Sequence, residues 1–210
     1  MRLPGGCSSG DAASVINAGI TGVVVPKVRS AADIATFGEV LAETGSAVGM
    51  IALIETALGL QQVDAIAAVP GVVRLMSGEV DMVAELGVDP DDDLAWRPIR
   101  SRIVVASAAA RLVGPIGPVS VDYSNPETLS AQARMLRRQG FRAGAAIHPN
   151  QIDPYLRGYA PDPEEIAAAR QVIERYETAL AEGRGTVVDN AGHMVDEATV
   201  KGARRLIEEG

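Results

Sequence analysis

The sequence predicts an α/β fold in which a parallel sheet is covered by helices. Short apolar segments alternate with longer segments whose apolar residues recur at helical spacing. The short segments are apolar on both faces, which is typical of strands buried between helices. Of the 210 residues, 47% are hydrophobic and only 3% aromatic, which favours a core of small aliphatic side chains. From this pattern alone, an open doubly wound sheet and a closed barrel both fit.

Five short apolar segments are the predicted strands of this sheet. Each is rich in Val, Ile, Leu or Ala and is followed closely by a proline or a polar residue, as strands that enter tight turns are. The predicted strands are Thr21–Val25, Val48–Ile54, Val72–Met76, Pro118–Val121 and Ala143–Ile147.

Seven segments between and after these strands have helical periodicity. We expect Ser30 to cap the first helix, and Asn125 followed by Pro126 to open another. The predicted helices are Ser30–Glu43, Thr56–Val69, Val80–Leu86, Leu94–Val113, Pro126–Gln139, Asp162–Glu182 and Glu197–Glu209. A further helix is expected near Pro149, and the composition of Gly183–Gly192 predicts a flexible segment.

The net charge and the cysteine content limit the partners and the cellular location that the sequence favours. The net charge of −8 argues against nucleic acid and anionic membrane as main partners, because both require a basic surface. No apolar run approaches the roughly 18 residues of a membrane-spanning helix. The single cysteine, Cys7, excludes an internal disulfide and favours a cytoplasmic protein.

Ionisable residues follow all five predicted strands, and this placement predicts a functional site. Lys27, Glu55, Asp81, Asp122 and His148 come at or shortly after the ends of the strands. Because the carboxyl ends of parallel strands meet at one edge, these residues are expected on one face, where active sites of such folds lie. The alternative for each carboxylate is a helix N-cap without further function.

Two carboxylates on neighbouring strand ends suit a hard cation. Mg²⁺ prefers oxygen ligands and keeps several waters, so one or two carboxylates suffice. Zinc requires nitrogen or sulfur ligands, and the two histidines and the cysteine have no zinc-site spacing. The pair Glu55 and Asp81 therefore predicts magnesium rather than zinc.

Six motifs in order make the chain similar to a known family. The sequence resembles the citrate lyase β-subunit-like branch of the HpcH/HpaI aldolase family, and the resemblance covers nearly the whole chain. The motifs are VVVPKVRSAADI (Val23–Ile34), ALIETALGL (Ala52–Leu60), LMSGEVDMVAELG (Leu75–Gly87), RPIRSRIVVASAAA (Arg97–Ala110), the Gly140–Ile152 run ending IHPNQI, and HMVDEATVKGA (His193–Ala203).

The resemblance implies a Mg²⁺-dependent carbon–carbon lyase with a (β/α)8 barrel, assembled as a homotrimer or hexamer. Its expected substrate is a short hydroxyacyl-CoA thioester such as malyl-, citramalyl- or citryl-CoA. The IET and GxxD motifs assign the metal to Glu55 and Asp81. The MVD motif assigns the general acid/base to Asp196 of a neighbouring subunit. Arg2 matches an arginine that binds acyl oxygens, and Lys27 is expected to supply charge to the cofactor-binding pocket.

The chain also departs from this family. The first strand with its arginine and the second with a DLED-like motif are absent, so we expect residues 1–160 to supply barrel strands three to eight. Residues 161–210 are then the C-terminal helical extension or lid. This departure keeps a second hypothesis open, a truncated barrel that binds metal or CoA ester without turnover or acts as a subunit scaffold. A third is a lyase of substrates without CoA, which the C-terminal extension disfavours.

Overall fold

The computed structural model describes residues 20–43, 48–189 and 192–209. Arg2 and Cys7 lie outside the described residues. The chain forms two compact units, and the division between them falls after Tyr155, within a helix. None of the helices in the described ranges combines the length and the apolar content that crossing a bilayer requires.

The first unit is built on a parallel sheet. Its strands are β1 (Gly22–Val25), β2 (Gly49–Ile54) and β3 (Val72–Ser77), which pair in that order. Single parallel bridges extend the sheet from Met76 to Ile116 and from Ile116 to Ala143. Five parallel segments therefore follow one another in chain order, and their carboxyl ends lie at one edge.

The last two predicted strands are much shorter than expected. Pairing is confined to single bridges at Ile116 and Ala143. The prediction of a strand at Pro118–Val121 is therefore wrong, since the pairing lies two residues before it, and the prediction at Ala143–Ile147 is wrong in extent. Pro118 has no N–H to donate to a strand ladder. Further along, the N–H of Ile147 bonds to the Gln151 side chain (2.8 Å) instead of to a neighbouring strand.

The helices of the first unit lie between and after these segments. They are α1 (Ala31–Glu43), α2 (Ala57–Gln61), α3 (Val63–Ala67), α4 (Glu79–Leu86), α5 (Asp93–Ala109), α6 (Pro126–Arg138), a 3-10 turn (Pro149–Gln151) and α7 (Ile152–Tyr159), in which the division falls. The predicted caps are confirmed, because Ser30 Oγ accepts from the N–H of Asp33 and the Asn125 side chain accepts from that of Thr128.

Two helix predictions are wrong in their bounds. The segment predicted as one helix, Thr56–Val69, is two short helices that meet at Gln62. Helix α5 ends four residues earlier than predicted, because Arg111 takes a left-handed conformation (φ 56°). The N–H groups of Arg111 and Leu112 then bond to the carbonyls of Ala108 and Ser107, a Schellman termination that usually employs glycine.

The core of the first unit lies between the sheet and helices α1, α3 and α5. Its buried side chains are aliphatic, as the composition predicts, and include Val23, Val25, Ile34, Met50, Ile54, Ile66, Leu75 and Ile103. Full burial of one such side chain contributes about 1.5–3 kcal/mol. This packing fixes the strands whose ends carry the candidate site.

The second unit is a helical hairpin with a small strand pair. Helix α8 (Pro163–Ala181) packs against α9 (Glu197–Glu208). Strands β4 (Val187–Val188) and β5 (Met194–Val195) pair antiparallel between the two helices in sequence. The segment predicted to be flexible by composition, Gly183–Gly192, therefore contains a short strand.

Candidate metal centre

Three predicted site residues meet at the carboxyl edge of the first unit's sheet. Lys27 follows β1, Glu55 directly follows β2, and Asp81 lies in the first turn of α4 after β3. Glu55 Oε1 accepts a hydrogen bond from the backbone N–H of Lys27 (2.7 Å), and its carboxyl group is also within hydrogen-bonding reach of Asp81. The Lys27 ammonium Nζ lies 3.4 Å from Asp81 Oδ1. The strand order brings these side chains together as the sequence predicts.

The carboxyl group of Glu55 is in an unfavourable place for a negative charge. The residue is only 2% exposed. Burial raises the pKa of Glu55, and the neighbouring Asp81 carboxylate raises it further, while the Lys27 N–H acts in the opposite direction. Two carboxylates this close repel each other. Such pairs, with a raised pKa, are typical of catalytic and cation-binding sites.

Gly78 is required because the end of β3 passes very close to Glu55. A Cβ added at Gly78 would lie 2.4 Å from the Cβ of Glu55. The Gly78 N–H also donates to the carbonyl of Ile54 (2.8 Å). The glycine of the GxxD motif therefore lets the turn that carries Asp81 approach the carboxylate at the end of β2.

The backbone around the site has two further fixed points. Lys27 takes a left-handed conformation (φ 57°), which is uncommon outside glycine and concentrates at functional sites. Glu85 of α4 accepts from the N–H of Ala57 (2.9 Å), so the helix that carries Asp81 is also tied to the residues that follow Glu55.

The donor set fits a hard divalent cation. Both acidic side chains offer only oxygen, and a cation between them would offset the charge repulsion that raises the pKa of Glu55. In the described parts of the chain, no group of three or more His, Cys, Asp or Glu side chains is placed to share a metal ion. Such a pair suits Mg²⁺, which keeps several waters, and not zinc, which needs a fuller set of nitrogen or sulfur ligands.

A buried ion pair beside the site was not anticipated from the sequence. Arg100 of α5 donates to Glu79 through Nε (2.7 Å to Oε1) and Nη2 (2.8 Å to Oε2), and through Nη1 to Asp93 (2.6 Å). Burial alone would lower the pKa of Arg100, but the bonds and charge of Glu79 raise it. Removing one partner of such a buried pair costs about 3–5 kcal/mol.

A sequence signal for this pair existed. Arg100 lies one turn after Trp96 and one turn before Ile103, both of which are buried. An arginine at a core position of a helix needs a buried carboxylate, and Glu79 in the SGEVD turn supplies it. The two neighbouring arginines of this helix, Arg97 and Arg102, form exposed ion pairs instead, with Asp93 and Asp64.

The remaining predicted residues of the first unit serve local structure. The Asp122 carboxylate accepts from the N–H and hydroxyl of Ser124, whose hydrogen bonds lower the pKa of Asp122. His148 accepts from the N–H of Asn150 and stacks on Tyr123, with 4.9 Å between ring centroids. These contacts agree with a structural role for His148.

The fully buried side chain of Gln151 joins the last two segments of the sheet. Its Nε2 donates to the carbonyls of Ser120 (2.8 Å) and Asp122 (3.0 Å), and its Oε1 accepts from the N–H groups of Ile147 and His148. The glutamine of the IHPNQI run therefore fixes the loops at the carboxyl edge.

A cleft of about 650 Å³ lies beside α4. Val80 and Val83 form one wall, the 118–122 segment and α6 contribute the opposite lining, and Glu79 and Arg100 also line it. The cleft is mainly apolar, and besides Glu79 and Arg100 its polar side chains are Asp91, Ser120, Asp122, Thr128 and Gln132. It is large enough for an organic ligand beside α4, the helix that carries Asp81.

Asp196 is in the second unit and directly follows β5. It is the N-cap of α9, and its Oδ1 accepts from both the N–H and the hydroxyl of Thr199 (2.9 Å each). These bonds lower the pKa of Asp196, so its side chain is an ordered carboxylate. The capping role is thus present whatever else the residue does.

Comparisons with known proteins agree with this geometry. The family described as HpcH/HpaI aldolase/citrate lyase matches residues 4–149. Citrate lyase subunit beta of Haemophilus influenzae is 27% identical over 206 residues, which cover 94% of this chain and 70% of that protein. L-malyl-CoA/beta-methylmalyl-CoA lyase of Cereibacter sphaeroides is 27% identical over 217 residues, or 89% of this chain and 66% of that one.

A solved structure extends the likeness to the fold. The protein CitE of Mycobacterium tuberculosis, in complex with magnesium, acetoacetate and coenzyme A, superposes with a TM-score of 0.78. It is 29% identical, and the match covers 99% of this chain and 76% of that one.

Proposed function

The chain belongs to the HpcH/HpaI aldolase/citrate lyase family, and from this premise we propose that it is a Mg²⁺-dependent carbon–carbon lyase. Its substrate is a short hydroxyacyl-CoA thioester such as malyl-, citramalyl- or citryl-CoA. One relative is a malyl-CoA lyase, and a similar structure holds magnesium and coenzyme A. The reaction is the reversible cleavage of the bond between the acetyl-CoA half and the keto-acid half.

The observation that carries the proposal is the convergence of Glu55 and Asp81. Their carboxyl groups come from the ends of neighbouring strands and contact each other although both are acidic. We assign both as ligands of Mg²⁺. When bound, Mg²⁺ supplies Lewis-acid stabilisation for negative charge that develops on a substrate oxygen.

Lys27 adds positive charge to the same edge. Its ammonium lies beside Asp81, and it is exposed enough to meet an anionic group of an incoming substrate. Its backbone N–H holds the Glu55 carboxylate in place. We propose that Lys27 both orients a metal ligand and contacts the substrate or its CoA part. Arg2, which lies outside the described residues, is assigned to the acyl oxygens on its sequence match alone.

The proton is moved by Asp196 of a neighbouring copy in a homotrimer or hexamer. The bonds from Thr199 fix the position of the Asp196 carboxylate, and a carboxylate is among the side chains that act as general bases. In the condensation direction this carboxylate takes a proton from the methyl carbon of acetyl-CoA, and the new carbon–carbon bond forms to the carbonyl carbon of the keto acid. The carbonyl oxygen takes a proton from water and becomes the hydroxyl group, and cleavage runs these steps in reverse. The proposal therefore needs assembly of several copies.

For the architecture, we propose that the five consecutive parallel segments are an arc of a (β/α)8 barrel. Residues 1–160 then form the barrel, with these five segments among its strands three to eight, and residues 161–210 the extension that carries Asp196. The parallel order and the placement of the site at the carboxyl edge support this assignment. The single cysteine supports a cytoplasmic location.

The test is a direct assay of the purified chain with malyl-, citramalyl- and citryl-CoA. The release of acetyl-CoA is measured by chromatography. It should require Mg²⁺ and stop when EDTA is added. Glu55→Gln keeps the shape of the side chain and should lower turnover about 1000-fold, since several kcal/mol of charge stabilisation are lost. A folded chain that binds Mg²⁺ but cleaves none of the three esters would favour the non-catalytic hypothesis instead.

A further inference from the structure

The buried ion pair between Arg100 and Glu79 lies two residues before Asp81. We propose that Arg100 is a positioning residue, which holds the Asp81 carboxylate where the cation binds without touching cation or substrate. The inference rests on the proposed function, because Asp81 is a metal ligand only there.

The geometry of the pair fixes the first turn of α4. The guanidinium of Arg100 meets both oxygens of Glu79, at 2.7 and 2.8 Å, in the two-bond arrangement that restricts direction as well as distance. Arg100 is 4% exposed and Glu79 9%. From the other side, the Ser77 hydroxyl donates to Glu79 (3.4 Å). The residue that opens α4 is thus held by both β3 and α5.

Other contacts also hold α4, namely the bond from the N–H of Ala57 to Glu85 and the ion pair of Lys27 with Asp81, but neither involves the residue that opens the helix. Gly78, the N-cap of α4, has no side chain to bond to the helix. Asp81 in this turn lies beside the acidic side chain of Glu55, and like charges placed so close repel each other. The two bonds from Arg100 to Glu79 hold the residue that opens the turn.

Arg100 is itself held in one orientation. Its Nη1 donates to Asp93 in the first turn of α5 (2.6 Å), while Nε and Nη2 serve Glu79. Each nitrogen of the guanidinium therefore has a carboxylate partner within the protein. This arrangement favours a positioning role over direct contact with an anionic substrate in the adjoining cleft.

The test measures Mn²⁺ affinity by electron paramagnetic resonance, with the metal alone as probe. The variants are Arg100→Gln, Arg100→Lys, Glu79→Gln and the double variant Glu79→Gln with Arg100→Gln. Ile103→Ala is the matched control. Ile103 lies on the same helix and is fully buried, and its hydrocarbon side chain cannot form a hydrogen bond or ion pair with Glu79. Thermal unfolding of each variant is recorded in parallel.

We expect Arg100→Gln and Glu79→Gln each to weaken Mn²⁺ binding by about 10- to 100-fold, the usual effect of losing a partner behind a metal ligand. Arg100→Lys should restore part of the affinity, since it keeps the charge but not the two-bond fork. The double variant should bind like either single variant, because both act through one contact. Ile103→Ala should lower the Tm and leave the affinity unchanged.

Two results would overturn the inference. Unchanged Mn²⁺ affinity in folded Arg100→Gln, with a raised KM for the CoA ester, would make Arg100 a substrate contact. An equal loss of affinity in Ile103→Ala would reduce the effect to general destabilisation. If Arg100→Gln does not fold, Arg100→Lys and Glu79→Gln decide between the same outcomes.

Failure of the metal site on which the proposed function depends has a different signature, because the unaltered chain then binds no Mn²⁺. Loss of lyase activity alone leaves the Mn²⁺ measurements valid. Hydrogen exchange then tests whether the Arg100–Glu79 ion pair stabilises α4, independently of any metal. The amides to follow are those of Val83 to Glu85, which in a helix bond to the carbonyls of Glu79 to Asp81. Faster exchange there in Arg100→Gln shows that the ion pair holds α4, and equal exchange shows that it does not.

Discussion

Glu55 in the first unit and Asp196 in the second occupy equivalent places in the sequence and opposite environments in the structure. Each is the first residue after a strand, β2 or β5. Glu55 is buried and contacts groups far away in the chain, with Lys27 28 positions away. Asp196 bonds to Thr199, three positions away. Burial and Asp81 raise the pKa of Glu55, and Thr199 lowers the pKa of Asp196.

This difference bears on which of the two carboxylates needs a bound cation to account for its position. The hydrogen bonds from Thr199 to Asp196 favour the charged form of its carboxyl group and stabilise α9. Helix capping is therefore enough to account for an aspartate at this position. At Glu55, burial and the neighbouring Asp81 oppose the negative charge, and together they outweigh the hydrogen bond from the N–H of Lys27. A buried carboxyl group whose charge is disfavoured, placed beside a second carboxyl group, is therefore better evidence for a bound cation than a helix-capping carboxylate is.

The largest effect that would sharpen the comparison is expected from Asp196→Asn. Asparagine caps a helix as well as aspartate does, so the Tm should stay the same. Asparagine cannot act as a base, so lyase turnover should fall by about 10²- to 10⁴-fold. The measurement is turnover of the CoA ester that the unaltered chain cleaves, with thermal unfolding alongside.

Asp162→Asn is the matched control for this substitution, because Asp162 is the N-cap of the other long helix in the same unit. It should leave turnover unchanged. Full turnover in Asp196→Asn would confine Asp196 to its capping role and remove the proton-transfer assignment.

The sequence predicted the convergence of Glu55, Asp81 and Lys27 better than it predicted the ends of the helices and strands. Glu55, Asp81 and Lys27 meet because parallel pairing places successive strand ends side by side, and the order of the strands follows from the α/β alternation. The Arg100–Glu79 pair was missed because it depends on which face of α5 is buried. The end of α5 was missed because Arg111 adopts a conformation that sequence patterns reserve for glycine.

A smaller effect, on stability, is expected from replacing a tightly packed glycine in the first unit and an exposed glycine in the second. Gly78→Ala places a methyl group 2.4 Å from the Cβ of Glu55 and should lower the free energy of unfolding by about 1–3 kcal/mol. Gly202→Ala meets no atom within 4 Å and lies inside α9, so it should raise stability by roughly 0.5–1 kcal/mol. Urea unfolding measures both. Equal stability of the two variants would show that β3 does not need its close approach to β2.

The smallest effect concerns the pH dependence of the cap at Asp196. Because the folded pKa of Asp196 is lowered, its stabilising bond is present above the ordinary carboxyl pKa and is lost as pH falls through the folded value. Asp196→Ala should lower the Tm by roughly 2–4 °C at neutral pH. The difference from the unaltered chain should shrink in acid. A difference that stays constant down to the lowest pH at which the chain folds would contradict the charged cap.

The central claim, that Glu55 and Asp81 form one divalent cation site, is tested most directly by calorimetric titration of Mg²⁺ into the unaltered chain and into Asp81→Asn. Their contact predicts one site in the unaltered chain and none in Asp81→Asn. It also predicts an equal or higher Tm for metal-free Asp81→Asn, because a repulsion is removed. Equal Mg²⁺ binding by both proteins, or a lower Tm for the metal-free variant, would contradict the account.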